Sequence, residues 1–229
     1  MFTVVLVPLV AAGCGSSNSS SSSSAPSSTP AAASAPASTQ TAQKDSCTTA
    51  QAPTPRKAGG EKKPRGKLDA SKAYTVTVET NCGTFAFSLD VKDSPDTTAA
   101  FAGLVRRGFF NGLIFHRIVP GFVIQGGDPA GTGEGGPGFS TVDPPPKNAA
   151  YTLGTVAMAK TQTEPDGAAG SQFFVVTAPD AQLPPQYALL GKVTKGIDVV
   201  QRIGKLGNPT DPNGTPTQVV EMKKVTVSP

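Results

Sequence analysis

Apolar and polar positions begin to alternate at Tyr74, and short alternating runs recur from there to the end of the chain. The runs 74–79 and 84–89 are rich in β-branched and aromatic residues, and the turn sequence Asn81-Cys82-Gly83 separates them. This pattern predicts a β-hairpin, because the side chains of a strand alternate between its two faces. Further strands are predicted at residues 113–119, 123–125, 155–159, 173–177 and 219–227.

Two other segments carry apolar residues at helical spacing. One helix is predicted to begin at Ser94-Pro95-Asp96, with proline in its first turn, and to end at Arg106-Arg107-Gly108. Residues 196–203 predict a second, shorter helix. Many short strands with two helices among them are typical of a closed antiparallel barrel capped by helices. The predicted fold class is therefore mainly β, and Phe109, Phe110 and Phe173 are predicted to lie in its core.

The chain before Tyr74 has a different composition. Residues 15–60 are nearly all Ser, Ala, Pro, Thr, Gln and Gly and contain no aromatic residue. Such a stretch cannot bury enough apolar surface to offset chain entropy, so residues 15–73 are predicted to be a disordered linker with a basic end. The folded domain is predicted at residues 74–229, and residues 1–14 are predicted to be a signal peptide.

The sequence pI of about 9.0 is a property of that linker and not of the domain. Residues 1–73 hold 8 Lys and Arg against 3 Asp and Glu, whereas residues 74–229 hold 12 against 13. The basic end of the linker offers weak attraction to an anionic lipid surface, or it simply keeps the linker soluble. Because no nucleic-acid-binding motif accompanies it, we expect no nucleic-acid partner.

Residues 2–12 form an apolar run that is too short to span a bilayer but has the length of the apolar region of a secretory signal. The run leads into Ala11-Ala12-Gly13-Cys14, which resembles the lipobox of bacterial lipoproteins. That resemblance implies lipidation at Cys14 and an extracytoplasmic protein anchored to the cell membrane. No Lys or Arg precedes the apolar run, so an incidental apolar start with an ordinary cysteine stays open.

Two further cysteines, Cys47 and Cys82, form an isolated pair. In an oxidising compartment such a pair often becomes a disulfide, which here would tie the end of the linker to the domain. Two unpaired thiols are the alternative.

The densest chemical information lies in residues 115–128, which read Phe-His-Arg-Ile-Val-Pro-Gly-Phe-Val-Ile-Gln-Gly-Gly-Asp. Pro120-Gly121 predicts a turn between two strands. If the loop holds three residues, Arg117 lies opposite Gln125 on one face, whereas a two-residue loop places them on opposite faces. The three-residue register sets a guanidinium beside an amide and next to exposed apolar side chains. That combination suits a site for an uncharged peptide.

Residues 115–128 resemble the signature of the cyclophilin family of peptidyl-prolyl cis/trans isomerases, and the loop 131–138 resembles its bacterial version. A second signature follows at residues 154–159 and 170–174. The resemblance runs from about residue 74 to 227, and it implies an eight-stranded barrel and isomerase activity that needs no cofactor or metal. It also implies proline-containing polypeptides as partners, and we expect a monomer.

The resemblance further assigns roles by position. It implies that Arg117 is catalytic and that Gln125 helps to orient it. The positions implied for peptide binding are Phe122, Val123, Phe174, Leu183 and Tyr187 around the proline, Ala159, Lys160 and Gln172 along the groove, and Thr132 at its rim. This chain departs from the common family pattern at Gln182, Tyr187 and Lys160, where the family often has Trp, His and Asn.

Those departures leave a second function open, namely a catalytically weak proline-peptide-binding module or holdase lipoprotein. A third is a tethered scaffold in which the basic linker is the active part. His116 is the only histidine, so metal sites and Ser/His or Cys/His catalysis have little support. Residues 131–136 match G-x-G-x-x-G, but Pro137-Gly138 follows in place of a helix, which argues against a dinucleotide site.

Overall fold

A computed structural model describes residues 46–229, in which a curled antiparallel sheet and two helices surround an aromatic core. The strands are β1 (Thr75–Thr80), β2 (Gly83–Leu89), β3 (Leu113–Ile114), β4 (Arg117–Val119), β5 (Val123–Gly126), β6 (Thr141–Val142), β7 (Thr155–Met158), β8 (Ala168–Ala169), β9 (Phe173–Val176), β10 (Leu189–Lys195) and β11 (Glu221–Ser228). The helices are α1 (Pro95–Arg106) and α2 (Ile197–Gly204). The predicted signal peptide, Cys14 and the linker as far as residue 45 lie outside the described residues.

Nine strands form one sheet in the order β3-β11-β1-β2-β10-β7-β9-β5-β4, and β6 pairs separately with β8. The sequence pattern predicts a closed barrel, and the family resemblance implies eight strands in it, whereas the observed ladder is an open half-barrel. The difference lies in residues 113–119, predicted as one strand. The first part pairs with β11 and the second with β5, so β3 and β4 occupy opposite edges of the sheet. Between them the Phe115 amide donates to the Val220 carbonyl at 2.9 Å, and within β4 the Ile118 amide donates to the Gly214 carbonyl at 2.7 Å.

Strand β10 is not apparent in the sequence pattern, although it pairs with both β2 and β7. Gly191 interrupts its alternation of apolar and polar residues. A Cβ at Gly191 would lie 1.8 Å from the Ser88 carbonyl oxygen, so the close approach of β2 requires glycine at this position. The residue that weakens the sequence signal is thus the one that lets the strand pair.

Phenylalanines fill the interior of the half-barrel. The fully buried ones are Phe85, Phe87, Phe101, Phe110, Phe115 and Phe173. The ring of Phe101 on α1 lies 4.6 Å from that of Phe110 and meets Phe173 edge-on at 5.6 Å. Such pairs contribute about 0.5–1.5 kcal/mol each beyond area burial. The prediction that Phe109, Phe110 and Phe173 belong to the core is confirmed, and they give β9 a rigid base.

Both helices lie close to their predicted positions. Pro95 stands in the first turn of α1 and Arg106 in its last turn, as the sequence predicts. Helix α2 follows Gly196, which has a φ of 72° and no room for a side chain, because a Cβ would lie 2.5 Å from the Thr84 carbonyl oxygen. Val199, Val200 and Ile203 anchor α2 on the sheet.

Residues 46–73 contain no helix or strand, but they lie against the domain. A disulfide joins Cys47 to Cys82, and the Thr48 amide donates to Asn81 at 2.8 Å. Farther along, the Lys67 ammonium lies 3.4 Å from the carboxylate of Asp96 on α1. The described part of the linker is therefore extended along the domain surface. Among the described residues, no helix has the length and apolar character needed to cross a bilayer.

Candidate functional site

The hairpin formed by β4 and β5 carries the two residues predicted to be catalytic. Arg117 pairs with Gln125 and Val119 pairs with Val123. The loop therefore has three residues, and it closes with a 3.0 Å hydrogen bond from the Phe122 amide to the Val119 carbonyl. Gly121 takes a φ of 68°, which its lack of a Cβ permits. The three-residue register predicted from side-chain alternation is confirmed.

A chain of amides leads from the Gly-rich loop to Arg117. Gln172, at the start of β9, donates from Nε2 to the carbonyls of Gly133 and Gly135 at 2.8 and 2.9 Å. Its Oε1 accepts from Gln125 Nε2 at 2.9 Å, which leaves Gln125 Oε1 facing Arg117 Nη1 at 3.4 Å. Each amide orientation fixes the next, so the chain positions the guanidinium.

The Arg117 guanidinium makes few polar contacts with the described residues. Arg117 is half-buried, and the only hydrogen bond of its side chain among the described residues is the one to Gln125. None of the ion pairs in residues 46–229 includes it. Since arginine stays charged and presents several donors in a fixed plane, most of these donors are free for a bound molecule.

A second apolar cluster, here called the apolar pocket, lies beside the hairpin on the outer face of the sheet. Its buried floor consists of Val123, Tyr151, Ala157, Phe174, Val176 and Ala178. Phe122, Ala159, Ala181, Leu183, Tyr187 and Leu189 are partly buried against that floor. All the residues predicted to surround a proline thus belong to one cluster, separate from the aromatic core. A half-open apolar cluster of this kind suits a small apolar ring.

Tyr187 is held in place by Tyr151, a residue that the sequence analysis did not identify. The Tyr151 hydroxyl donates to the Tyr187 carbonyl at 2.7 Å and accepts from the Tyr187 amide at 3.0 Å. Burial raises the pKa of Tyr151 to about 12, so it stays a neutral donor. The Tyr187 ring meets Phe174 edge-on at 5.5 Å. Only the fold reveals Tyr151, because it lies 36 residues from Tyr187.

Besides the apolar pocket, the site contains a more polar groove of about 710 Å³, and Gln125 is one of the residues that line it. Three residues predicted for the groove, Ala159, Lys160 and Gln172, line it together with residues 133–140. Thr161 and Glu164 also line it, although the sequence does not predict them. Lys160 Nζ donates to the carbonyls of Thr161 and Glu164 and lies 5.8 Å from the centre of the Tyr187 ring. Lys160 therefore links the polar groove to the apolar pocket.

Asp128 shapes the rim of this groove. Its carboxylate accepts the amides of Ala130, Thr132 and Gly133 at 2.8, 2.8 and 2.6 Å. Burial opposes ionisation of Asp128, but these backbone hydrogen bonds together hold its pKa below the usual value. Thr132 is exposed and fixed at the rim, although it is not among the residues that line the groove.

His116 lies behind Arg117 and contributes no group to the pocket. Both of its ring nitrogens are buried, with no hydrogen-bond partner among the described residues. Burial lowers its pKa, and the nearby Asp128 only partly offsets that effect. The described residues also contain no group of three His, Cys, Asp or Glu that could hold a metal ion.

Comparison with known proteins agrees with this geometry. Residues 75–227 match the family model described as cyclophilin type peptidyl-prolyl cis-trans isomerase/CLD. Peptidyl-prolyl cis-trans isomerase-like 1 of Neurospora crassa is 37% identical over 161 residues, which are 68% of this chain and 94% of the relative. The human protein of the same name is 40% identical over 140 residues, 59% of this chain and 82% of its own.

A solved structure is also similar. The crystal structure of a cyclophilin type peptidyl-prolyl cis-trans isomerase from Cryptosporidium parvum, in the presence of the dipeptide Ala-Pro, superposes with a TM-score of 0.61. It is 30% identical in sequence and covers 68% of this chain and 99% of its own. The similarity covers the sheet and both helices, and residues 1–74 lie outside the family match.

Proposed function

Because this chain belongs to the cyclophilin-type peptidyl-prolyl cis-trans isomerase family, we propose that it catalyses rotation about X-Pro peptide bonds, with Arg117 as the catalytic residue. One observation carries the proposal. A guanidinium without an ion pair among the described residues lies on the hairpin that also supplies Phe122 and Val123 to an apolar pocket. The Ala-Pro dipeptide of the similar Cryptosporidium structure supports a small, proline-containing ligand.

The reaction itself sets the requirements for the site. Rotation of an X-Pro bond crosses a barrier of about 18–20 kcal/mol because amide resonance is lost, and it takes roughly 10–100 s without catalysis. No covalent bond has to break. The enzyme only has to bind the twisted amide more tightly than the planar one.

Arg117 supplies that difference. As the amide twists, the prolyl nitrogen loses resonance, becomes pyramidal and can accept a hydrogen bond. The planar amide nitrogen accepts none, so a donor placed there stabilises the transition state selectively. Gln125 and Gln172 hold the guanidinium in place before the substrate arrives, which reduces the reorganisation needed during rotation.

The pocket and the groove perform the binding. Val123 and Phe174 form the floor under the proline ring, with Phe122, Leu183 and Tyr187 around it. Residues of the peptide on the other side of the rotating bond lie along Gln125, Ala159 and Gln172 in the polar groove. The pocket holds the proline ring fixed while the peptide on the other side of the X-Pro bond turns. The binding of the substrate thereby promotes the rotation.

The test compares two arginine variants of the full chain. We expect Arg117→Ala to lower kcat/KM for a short Ala-Pro peptide by about 10²- to 10³-fold, as for loss of a transition-state donor elsewhere. Arg106→Ala is the matched control, because Arg106 is exposed on α1 and has no side-chain partner among the described residues. A folded wild type that binds the peptide without catalysing rotation would instead indicate the peptide-binding module or holdase.

We also propose that the protein is exported, anchored through a lipid on Cys14, and assists the folding of exported polypeptides as a monomer. The lipobox sequence supports the anchor, and the Cys47–Cys82 disulfide suits an oxidising compartment. The large hydrophobic residues exposed on the described surface are only Val142 and Ile197, which supports a monomer.

Expression of wild type and Cys14→Ser in a bacterial host tests the anchor. We expect the wild type in the membrane fraction, with a diacylglyceryl group on Cys14 by mass spectrometry, and the variant outside that fraction. Cys47→Ser is the control, and it should stay in the membrane fraction. Equal partitioning of wild type and Cys14→Ser would refute the anchor.

A further inference from the structure

The segment between Cys47 and Tyr74 has no part in the mechanism described above. We infer that residues 56–64, here called the strap, belong to the peptide site, because they hold the groove wall, residues 133–140, from its outer side. The inference rests on the proposed function, since the groove wall lines the polar groove. It assigns a positioning role to a segment that composition alone describes as a linker.

The groove wall is hydrogen-bonded on two sides. On the inner side, Gln172 bonds to the carbonyls of Gly133 and Gly135. On the outer side, the amides of Gly59 and Glu61 in the strap donate to the carbonyls of Gly136 and Pro137 at 2.8 and 2.9 Å. Lys63 Nζ adds a bond to the Ser140 carbonyl at 3.0 Å. The strap thus satisfies wall carbonyls that Gln172 does not reach.

The wall needs such support because of its composition. Four of its eight residues are glycines, and none of them belongs to a helix or strand. Gly133 and Gly138 have φ values of 91° and 93°, which glycine adopts most readily. A chain this free keeps one shape only if outside partners fix it. Gln172 bonds to the wall as well as to Gln125, so the wall adjoins the part of the site that contains Arg117.

The strap is anchored to the body of the domain at Arg56, before its contacts with the wall, and at Glu61 and Lys62, among them. Arg56 donates to the Phe109 carbonyl, and its guanidinium lies 5.5 Å from the centre of the Phe109 ring. Arg107, the C-cap of α1, places Nε 3.3 Å from the Glu61 carboxylate and Nη2 2.9 Å from the Lys62 carbonyl. These anchors and the upstream disulfide at Cys47 hold the strap at a fixed distance from the wall.

Gly103 shows that α1 leaves space for the strap. A Cβ at Gly103 would lie 2.4 Å from Pro64 Cγ and 2.6 Å from Pro64 Cβ. Glycine is a poor residue inside a helix, where alanine is the best. At this position α1 therefore has a residue that favours the helix less, and the Pro64 ring occupies the space that a side chain would need.

The experiment uses full-length protein and two changes to α1 that should loosen the strap. Arg107→Ala removes the bonds to Glu61 and Lys62, and Gly103→Ala displaces Pro64 while favouring the helix itself. Arg106→Ala is the matched control for charge and helix end, and Arg107→Lys tests rescue by a single ammonium. The measurements are amide hydrogen exchange of Gly59 and Glu61, whose N–H groups donate to the wall, and kcat, KM and Kd for a short Ala-Pro peptide.

We expect Arg107→Ala and Gly103→Ala to speed exchange of the Gly59 and Glu61 amides by about tenfold, as local opening of the strap–wall hydrogen bonds would. We expect KM and Kd to rise by about 3- to 10-fold while kcat stays within about twofold, since Arg117 keeps Gln125 as its partner. Arg106→Ala should match the wild type, and Arg107→Lys should lie between.

Wild-type values for both strap variants in exchange, KM and Kd would overturn the inference. Arg107→Ala changes an exposed side chain, so it keeps the test available if Gly103→Ala does not fold. If the wild type binds the peptide without catalysis, the proposed isomerase function fails, and the exchange and Kd values still decide the role of the strap.

Discussion

Gln172 connects three parts of the site through one side chain. Its amide binds two carbonyls of the groove wall and the amide of Gln125, which in turn faces Arg117. An amide can do this because it offers two donors on one end and an acceptor on the other. At the residue scale, the proposed catalysis therefore depends on the orientation of two neutral amides as well as on the charge of Arg117.

His116 makes stability dependent on pH, because burial lowers its pKa in the folded protein. The unfolded chain takes up a proton below its ordinary value of 6.5, whereas the folded protein resists protonation. Stability is therefore complete above that value and falls as the pH is lowered toward the folded pKa. The loss amounts to at most about 1.4 kcal/mol per pH unit.

Urea unfolding of wild type and His116→Phe between pH 7.5 and 5 checks this prediction. We expect the free energy of unfolding of the wild type to fall below pH 6.5 and that of the variant to stay nearly flat. Asp128 does not interfere, because its lowered pKa costs stability only below its ordinary value of 3.8. Parallel pH profiles for the two proteins would contradict the role of His116.

The sequence predicts some residues of the site well and others not at all. Arg117 and Gln125 are accessible to prediction because alternation along two strands and one turn fixes their register. Tyr151 is not, because it acts on Tyr187 across 36 residues and no local pattern joins them. The same holds for Thr161 and Glu164, which enter the groove only through the path of a loop.

Among the helices and strands, those with a clear local sequence pattern are predictable, and those without one are not. The β4–β5 hairpin and both helices follow from periodicity and turn residues. Strand β10 does not, because Gly191 breaks its alternation to admit β2. The strap does not either, because its contacts join residues far apart in sequence, such as Arg107 and Lys62 at a separation of 45.

The Cys47–Cys82 disulfide is a cross-link that fixes the segment leading to the strap to the domain. It closes a loop with a sequence separation of 35, and its constraint on the unfolded chain contributes about 2–4 kcal/mol in the chain-entropy model. We expect reductant to lower the free energy of unfolding by that amount in urea titrations of the Cys14→Ser protein. The variant Cys47→Ser/Cys82→Ser should be insensitive to reductant. An unchanged midpoint for the disulfide-bonded protein on reduction would contradict this prediction.

For the whole molecule, the family match and the described structure divide the chain differently. The match begins at residue 75, whereas contacts with the domain extend toward the N-terminus as far as Cys47. The family match over residues 75–227 includes both helices and nearly all of the main sheet, and the Neurospora relative is covered over 94% of its own length. Outside the match, this chain has a basic N-terminal segment that contacts the groove wall at Gly59, Glu61 and Lys63. Prediction from composition could not show this, because composition carries no information about where a segment docks.

We propose above that Arg117 accelerates rotation of a proline peptide bond held in the apolar pocket. The most direct measurement is cis/trans exchange of a short Ala-Pro peptide by NMR, with full-length wild type and Arg117→Ala at equal peptide occupancy. We expect rapid exchange with the wild type and a loss of about 10²- to 10³-fold with Arg117→Ala, while peptide affinity changes little. Equal exchange rates for the two proteins, or no acceleration by a folded and peptide-bound wild type, would contradict it.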